Sequence, residues 1–197
     1  MALTESTMLP LGTTAPDFNL PDTISGKTVT FDNAGGVQIP GMETPSIAGA
    51  EGTLVYFICN HCPYVIHTIE ELVAVATEYQ KKGIGAVAIS SNDVERYPDD
   101  SPEKMREFAH HYNFTFPYLY DESQEIARAY DAACTPDIYL FNTAGELYYR
   151  GRLDGSRPGN DTPVNGADLR AALDSLLNGE PTPEQQIPSA GCGIKWR

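Results

Sequence analysis

Apolar residues follow two alternating patterns along the chain. Residues 53–58 and 84–90 are short, nearly unbroken runs of apolar side chains, which predict strands buried on both faces of a sheet. Between them, apolar side chains recur at three- and four-residue spacing, which predicts an amphipathic helix over about residues 63–82, with Pro63 in its first turn. Because a crossover helix joins parallel strands, these segments predict a β-α-β unit.

The same two patterns continue through the rest of the chain. They predict, in order, a helix from Ser101-Pro102, a strand over residues 116–120, a short helix opened by the capping-box spacing of residues 121–124, strands over residues 137–141 and 146–150 joined by a hairpin turn, and a last helix ended by Asn178-Gly179. This order of elements predicts an α/β fold, with a mixed central sheet and helices on both faces.

The two ends of the chain differ from this middle part. Residues 1–51 are rich in Gly, Pro, Thr and Asp, and their short extended pieces predict an N-terminal β extension at residues 17–20, 28–31 and 37–39. Residues 180–197 form a Pro-rich tail. We therefore predict one domain over residues 1–179 and a C-terminal tail that packs on it.

Composition and charge restrict the function. The chain has 197 residues, of which 41% are hydrophobic and 20% charged, so it can fill a core without disulfides. No apolar run approaches the ~20 residues of a membrane-spanning helix. The net charge of −14 disfavours nucleic acid and anionic membranes as partners. The first residues lack the basic and apolar regions of a signal peptide, which predicts a cytoplasmic protein, and nothing in the sequence predicts a cofactor.

The most specific chemical signal is the segment Cys59-Asn60-His61-Cys62, between the first buried strand and its helix. A helix N-terminus presents free N–H groups and a partial positive charge, which stabilise a thiolate. Two cysteines at this spacing can bridge each other and cycle between dithiol and disulfide. His61 adds positive charge when it is protonated. We therefore predict a redox pair, with a reduction potential above that of thioredoxin.

The other two cysteines leave alternatives open. Zinc takes four ligands, so Cys134 and Cys192 could complete a closed four-cysteine site with the pair. Cys134 is either a third redox partner or a small buried core residue. Cys192 lies between two glycines, which permit close approach, so the tail either folds back to the pair or leaves a surface thiol. Pro136 marks a strand start or a cis turn.

Four segments resemble motifs of one known family. Residues 12–20 resemble its N-terminal motif, residues 54–63 its active-site strand with Cys-x-x-Cys and helix start, Thr135-Pro136 its cis-proline loop, and residues 141–145 the hairpin that follows. On these segments the chain resembles the AhpC/TSA–TlpA-like branch of the thioredoxin-like superfamily over roughly residues 8–178. The resemblance implies a thioredoxin-like fold.

The resemblance also implies roles for individual residues. It implies that Cys59 attacks a substrate disulfide and that Cys62 resolves the mixed disulfide. It implies that Thr135 and Pro136 help to bind the partner's backbone. We place two residues that border the cysteines, Asn60 and Pro63, at the same substrate-binding surface, and we assign His61 to the catalytic group.

A peroxiredoxin-like peroxidase is the alternative enzyme. The peroxiredoxins resemble this chain at Cys62-Pro63, which matches their peroxidatic Cys-Pro pair. Their motif has threonine where this chain has Cys59 and proline where it has Val55. They also have an arginine that approaches the peroxide, and this chain has the segment 134–136 at that place instead. These departures favour disulfide exchange over peroxide reduction, unless an arginine approaches from elsewhere: Arg128, Arg150 or Arg152.

Together these observations predict a thiol–disulfide oxidoreductase with a role in redox homeostasis and antioxidant defence. Its partner would be a protein or small-molecule disulfide, or a peroxide in the alternative, with a thioredoxin-type or other thiol as reductant. A non-enzymatic zinc-binding or redox-sensing module remains a second alternative. The sequence leaves the choice between monomer and homodimer open.

Overall fold

The computed structural model describes residues 3–32, 36–38 and 49–197. Its elements in chain order are β1 (Leu3–Glu5), β2 (Phe18–Pro21), β3 (Thr28–Asp32), β4 (Gly36–Gln38), β5 (Gly52–Phe57), α1 (Pro63–Gln80), β6 (Ile84–Ser90), α2 (Pro102–His111), β7 (Tyr118–Tyr120), α3 (Glu125–Ala129), β8 (Cys134–Thr135), β9 (Asp137–Phe141), β10 (Leu147–Tyr149), α4 (Ala167–Leu177) and β11 (Ala190–Gly193), with a turn of 3-10 helix at Pro98–Asp100.

The central sheet has five strands in the order β10-β9-β5-β6-β7. Strands β5, β6 and β7 run parallel, as expected for strands joined by crossover helices. Strand β9 runs antiparallel to β5, and β10 antiparallel to β9. Every residue of β5 and β6 is buried, because both faces of the sheet are covered. The predicted mixed sheet is confirmed.

The two faces of this sheet are covered differently. Successive strand residues point to opposite faces, so Leu54 and Tyr56 of β5 join a core with α1, α2 and α4. Val55 and Phe57 join a second core with β2, β3 and the short helix α3, which contributes Ala127. Helices on both faces are confirmed, although the second face is covered mainly by the small sheet of β2, β3 and β4. This sheet is the predicted N-terminal extension; residue Ile39 of its third predicted piece lies outside the described residues.

A third sheet, in the order β1-β11-β8, is absent from the sequence-based prediction. Strands β1 and β11 pair antiparallel, and so do β11 and β8. The tail therefore contacts the domain through backbone hydrogen bonds, whereas the division of the chain at residue 179 stays a prediction. Neither β1 nor β11 has the alternating apolar pattern of a strand, which explains why the pattern alone missed both.

The start of α3 differs from the prediction. The capping-box spacing places the helix start within residues 121–124, but α3 begins at Glu125, and Gln124 before it adopts a left-handed conformation without a side-chain cap. Asp121 is fully buried instead. Its carboxylate accepts hydrogen bonds from the Ser91 hydroxyl and from the Ala127 backbone N–H in the first turn of α3, so Asp121 caps the helix from three residues before the N-cap position. In the described part of the chain, no helix has the length and hydrophobicity needed to span a bilayer.

Candidate active site

The cysteine pair lies where the central strand of the sheet meets a helix. Strand β5 ends at Phe57, and the chain then turns through Cys59 to Cys62, which is the N-cap residue of α1. Pro63 is the first residue of the helix, where its missing N–H leaves no hydrogen bond unmade. Both cysteines are free thiols, with 2% of Cys59 and 0% of Cys62 exposed. The helix N-terminus is thus directed at two buried sulfur atoms.

Thr135 brings the predicted proline loop onto this pair. Its hydroxyl lies 3.4 Å from the Cys59 sulfur, and its carbonyl oxygen accepts a hydrogen bond of 3.2 Å from the Cys62 thiol. The Thr135–Pro136 peptide bond is cis, which resolves the alternative left open by the sequence. Four residues that the sequence singled out are therefore brought together, although they lie in two segments far apart along the chain.

The two cysteines differ in pKa although both are buried. The Cys59 thiol donates a hydrogen bond to the Cys62 sulfur, and this bond, burial and the Asp100 carboxylate raise the pKa of Cys59. The same hydrogen bond favours a negative charge on Cys62. Together with donors that include the Cys192 thiol, it outweighs burial and lowers the pKa of Cys62 to about 5. The charge of the pair therefore rests on Cys62.

Two further groups stabilise the Cys62 thiolate, and one opposes it. The Thr135 hydroxyl and the Val65 backbone N–H both contribute hydrogen bonds that lower the Cys62 pKa. The Thr135 carbonyl oxygen can accept a hydrogen bond only from the protonated thiol, so it favours the neutral form. Donors outnumber this single acceptor, which is the arrangement that a buried thiolate requires.

His61 is held by a carboxylate that the sequence analysis missed. Its Nδ1 lies 2.7 Å from Asp100, whose side chain is fully buried. The hydrogen bond to Asp100 raises the pKa of His61. Burial alone would raise the pKa of Asp100, but hydrogen bonds from His61, Asn92 and the Asn60 backbone N–H outweigh it, so this pKa is lowered. The imidazole also stacks on Tyr97, at 5.5 Å between ring centroids.

Asn60 fixes the turn between the two cysteines. Its backbone N–H donates to the Asp100 carboxylate at 2.8 Å, and its amide donates to the Asp99 carbonyl oxygen. Its side-chain oxygen accepts a hydrogen bond from the Tyr118 hydroxyl at 3.0 Å. These contacts use Asn60 to hold the loop, whereas Pro63 next to the pair is exposed. No spacing signal in the sequence links Asp100 to this turn, because the two segments meet only in the fold.

The remaining two cysteines have different surroundings. Cys192 lies on β11, directly opposite Thr135 in the strand pairing, and its thiol hydrogen-bonds the Cys62 sulfur. The tail thus folds back onto the pair. Cys134 on β8 is buried, and its sulfur lies 3.6 Å from the Pro136 carbonyl oxygen. Burial and the Asp137 carboxylate raise its pKa far above the ordinary value.

The potential metal ligands do not include all four cysteines. Within the described ranges, the one group of three or more ligand atoms that lie within 4.8 Å of one another comprises Cys59, His61 and Asp100. A closed structural zinc site needs four converging ligands. Two of these three groups, His61 and Asp100, are already hydrogen-bonded to each other. The geometry therefore disfavours the four-cysteine zinc site.

The three arginines proposed as substitutes for the peroxiredoxin arginine have other partners. Arg128 lies over the Trp196 ring at 4.4 Å from its centroid. Arg150 hydrogen-bonds Gln186, and Arg152 forms an ion pair with Asp168 at 2.5 Å. Each guanidinium group is thus held by contacts outside the cysteine pair.

Comparisons with known proteins agree with this geometry. The chain is 26% identical over 147 residues to the thiol-disulfide oxidoreductase ResA of Geobacillus kaustophilus (strain HTA426), covering 73% of this chain and 70% of the relative. The chain is also similar to an uncharacterized conserved protein from Geobacillus kaustophilus with a crystal structure. The two sequences are 50% identical, and the structures superpose with a TM-score of 0.90 over 100% of this chain and 97% of the other.

A more distant structure identifies the fold. The solution structure of a thioredoxin-like protein in the oxidized form superposes on this chain with a TM-score of 0.53, over 67% of this chain and 81% of the other. The two sequences are 20% identical. This likeness shows that the chain has a thioredoxin-like fold. The comparisons as a whole support a redox function. The AhpC/TSA family model matches residues 11–150, most of the chain and the whole cysteine turn. The chain therefore belongs to the AhpC/TSA family.

Proposed function

We propose that this protein is a thiol–disulfide oxidoreductase in which Cys59 and Cys62 exchange disulfides with a protein or small-molecule partner. The observation that carries the proposal is the hydrogen-bonded pair of sulfur atoms at the N-terminus of α1, with the lowered pKa on Cys62. A thiolate is the nucleophile in disulfide exchange, and a neighbouring thiol completes it. The name of the relative ResA, a thiol-disulfide oxidoreductase, supports the same reaction class.

The pKa order suggests which cysteine attacks first. The Cys62 thiolate attacks one sulfur of the substrate disulfide, so that a mixed disulfide forms and one substrate thiolate leaves. Cys59 then gives up its proton and attacks the Cys62 sulfur, and the second substrate thiolate leaves. One substrate disulfide is reduced to two thiols, and the pair becomes the Cys59–Cys62 disulfide. This order is the reverse of the one that the family resemblance implies for the two cysteines.

A thiol reductant has to return the pair to the dithiol form. A thioredoxin-type protein or a small thiol supplies two electrons by the reverse of the same exchange. Repeated cycles would consume disulfides at the expense of that reductant, which is the basis for a role in redox homeostasis and antioxidant defence.

The test is the reduction of insulin disulfides with glutathione and its reductase as electron source, because thioredoxin would reduce insulin by itself. We expect wild-type protein to reduce insulin disulfides, and Cys59→Ser/Cys192→Ser, which lacks both thiols that contact Cys62, to accumulate a mixed disulfide on Cys62. If Cys62→Ser instead accumulates a mixed disulfide on Cys59, the order implied by the resemblance is correct. If no disulfide forms between Cys59 and Cys62 at any ratio of oxidised to reduced glutathione, the proposed function is wrong.

A second candidate function is peroxide reduction with Cys62 as the peroxidatic cysteine. The lowered pKa of Cys62 at the helix N-cap, directly before Pro63, favours it. The engaged positions of the three arginines argue against efficient turnover. Hydrogen peroxide consumption, measured beside insulin reduction, separates the two. Peroxidase turnover through a Cys62 sulfenic acid, with no insulin reduction, would make this candidate the function.

A further inference from the structure

The C-terminal strand lies directly on the cysteine pair. Strand β11 pairs antiparallel with β8, so that Cys192 is opposite Thr135 and Gly193 is opposite Cys134. Thr135 is the residue whose hydroxyl and carbonyl contact Cys59 and Cys62. Only 2% of Cys192 is exposed, and its thiol hydrogen-bonds the Cys62 sulfur. Three sulfur atoms therefore meet beside the cis peptide bond.

The glycine before Cys192 makes this close approach possible. A Cβ atom at Gly191 would lie 2.0 Å from the Thr135 carbonyl oxygen and 3.3 Å from Pro136 Cδ. A carbonyl oxygen of a paired strand cannot move away without breaking the pairing, so any larger residue at position 191 would displace β11. The Gly-Cys-Gly segment is thus a close fit to the proline loop, with the thiol of its central residue directed at Cys62.

We propose that Cys192 is a third redox-active residue, which exchanges with Cys62 as an internal substrate of the enzyme. The proposal rests on the proposed function, because that reaction supplies the disulfide. Strand β11 adds a strand beside the proline loop, as an extended peptide does when it pairs with an open sheet edge. Its cysteine is then held where a substrate thiol would have to lie.

The exchange is balanced without an additional oxidant. Once the substrate has oxidised the pair to the Cys59–Cys62 disulfide, the Cys192 thiolate attacks the Cys62 sulfur. The Cys59–Cys62 bond breaks, a Cys62–Cys192 bond forms, and Cys59 leaves as a thiolate that takes up the proton lost by Cys192. The number of disulfides is unchanged. The product fixes β11 covalently over Cys62 and leaves Cys59 reduced.

The fourth cysteine does not share this arrangement and serves as a control. The Cys134 sulfur lies 3.6 Å from the Pro136 carbonyl oxygen and 4.0 Å from the Ser189 carbonyl oxygen. It is therefore directed at backbone acceptors, and its thiol is kept protonated by burial. We expect Cys134 to remain unlinked.

The test is disulfide mapping by peptide mass spectrometry after equilibration with oxidised and reduced glutathione and acid quenching. In Cys59→Ser, we expect a Cys62–Cys192 disulfide in most molecules, and in Cys59→Ser/Cys192→Ser a Cys62–glutathione mixed disulfide instead. Accumulation of Cys62–glutathione with a free Cys192 in the single variant would overturn the proposal. Wild-type protein is mapped in the same series, and a Cys62–Cys192 isomer is expected there as well.

A glycine variant tests whether the docked strand is responsible. Gly191→Ala, placed in the Cys59→Ser background, should lower the fraction of Cys62–Cys192 at least tenfold. Gly155→Ala is the matched control, because a Cβ atom there makes only an ordinary contact of 3.5 Å with Thr162. An unchanged fraction in Gly191→Ala would contradict the proposal. Wild-type protein that forms Cys59–Cys62 but never Cys62–Cys192 refutes this inference alone, whereas absence of both refutes the proposed function.

Discussion

Two buried cysteines of this protein, Cys62 at the N-terminus of α1 and Cys134 on β8, have pKa values shifted in opposite directions. Both are 0% exposed. The pKa of Cys62 is lowered to about 5, whereas that of Cys134 is raised far above the ordinary value. Cys62 receives hydrogen bonds from three side chains and one backbone N–H, but Cys134 faces carbonyl oxygens and the Asp137 carboxylate. Burial alone therefore does not decide thiol reactivity; the number of donors around the sulfur does.

The largest expected effect comes from removing each thiol in turn, which tests whether Cys62 is reactive and Cys134 is not. We expect Cys62→Ser to reduce the rate of disulfide exchange by ~10³-fold or more, because the nucleophile is lost. Cys134→Ser exchanges an equally buried thiol for a hydroxyl, so it controls for the cost of that change. Its exchange rate should stay within about twofold of wild type once folding is confirmed by circular dichroism. A similar loss in both variants would show that the effect comes from the core rather than from the nucleophile.

A pH titration sharpens the comparison without any change to the core. With a pKa of about 5, Cys62 is almost entirely thiolate at pH 7, roughly 100-fold more than a cysteine with the ordinary value of 9.0. The difference in ultraviolet thiolate absorbance between wild type and Cys62→Ser should have its midpoint near pH 5. A midpoint at the ordinary thiol value of 9.0 would contradict the described hydrogen-bond pattern.

The same pKa shifts determine how pH changes stability. The folded pKa of Cys62 is lowered, so its stabilising contribution is complete above the ordinary value of 9.0 and is lost as the pH falls through about 5. Cys134 has a raised folded pKa, so it favours unfolding once the pH exceeds the ordinary thiol value. Urea unfolding of the two serine variants across this range measures both contributions.

Removing the Asp100 carboxylate beside the cysteine turn should have a smaller effect, on stability. We expect Asp100→Asn to lower the free energy of unfolding by about 2 kcal/mol, because a charged hydrogen bond to His61 is lost. The folded pKa of Asp100 is lowered and that of His61 raised, so both groups are charged between their ordinary values of 3.8 and 6.5. The stabilisation from this ion pair is lost as the pH falls through the folded pKa of Asp100, or as it rises through the folded pKa of His61.

Chemical denaturation of wild type and Asp100→Asn at several pH values measures this difference. The pKa of His61, followed by NMR, should also decrease toward its ordinary value in the variant. A stability difference that does not change as the pH rises through the folded pKa of His61 would mean that Asp100 acts through its hydrogen bonds with Asn60 and Asn92 alone.

The smallest expected effect concerns the reduction potential. A protonated His61 near Cys62 stabilises the thiolate of the reduced pair, so the potential should lie above the value of about −270 mV for thioredoxin. His61→Ala should lower it by roughly 30 mV, as measured by equilibration with glutathione. The exposed His111 on α2 is the control, and His111→Ala should leave the potential unchanged. A wild-type potential at or below that of thioredoxin would refute the role given to His61.

The sequence predicted the sheet, its helices and the cysteine turn because each depends on local patterns. Period and run length identify β5, α1 and β6, and a Cys-x-x-Cys between a strand and a helix is itself a local signal. Asp100 was missed because its partner His61 is distant in sequence and no motif links them. The start of α3 was misplaced because Asp121 caps the Ala127 N–H of its first turn from outside the helix, while the same carboxylate binds Ser91 in a distant segment.

The pairing of β11 with β8 beside the cysteine pair also could not be predicted from sequence patterns. The strand Ala190–Gly193 contains two glycines and no large apolar residue, so neither period nor propensity indicates that it pairs with β8. The sequence offered folding back of Cys192 and a free surface thiol as equal alternatives. The pairing of Cys192 with Thr135, the burial of Cys192 and the fit of Gly191 against the Thr135 carbonyl oxygen distinguish them, and all three depend on contacts between distant segments.

The small sheet that joins β1, β11 and β8 ties together segments from the two extremes of the 197-residue chain. Closing so long a loop costs more entropy than forming any local hairpin, and strands of only three and four residues have few hydrogen bonds to hold them. We expect the amides of Leu3 to Glu5 and Ala190 to Gly193 to exchange with deuterium before those of β5 and β6. Reagents would then gain entry to the sulfur atoms through brief fraying of this sheet, while the rest of the molecule stays folded.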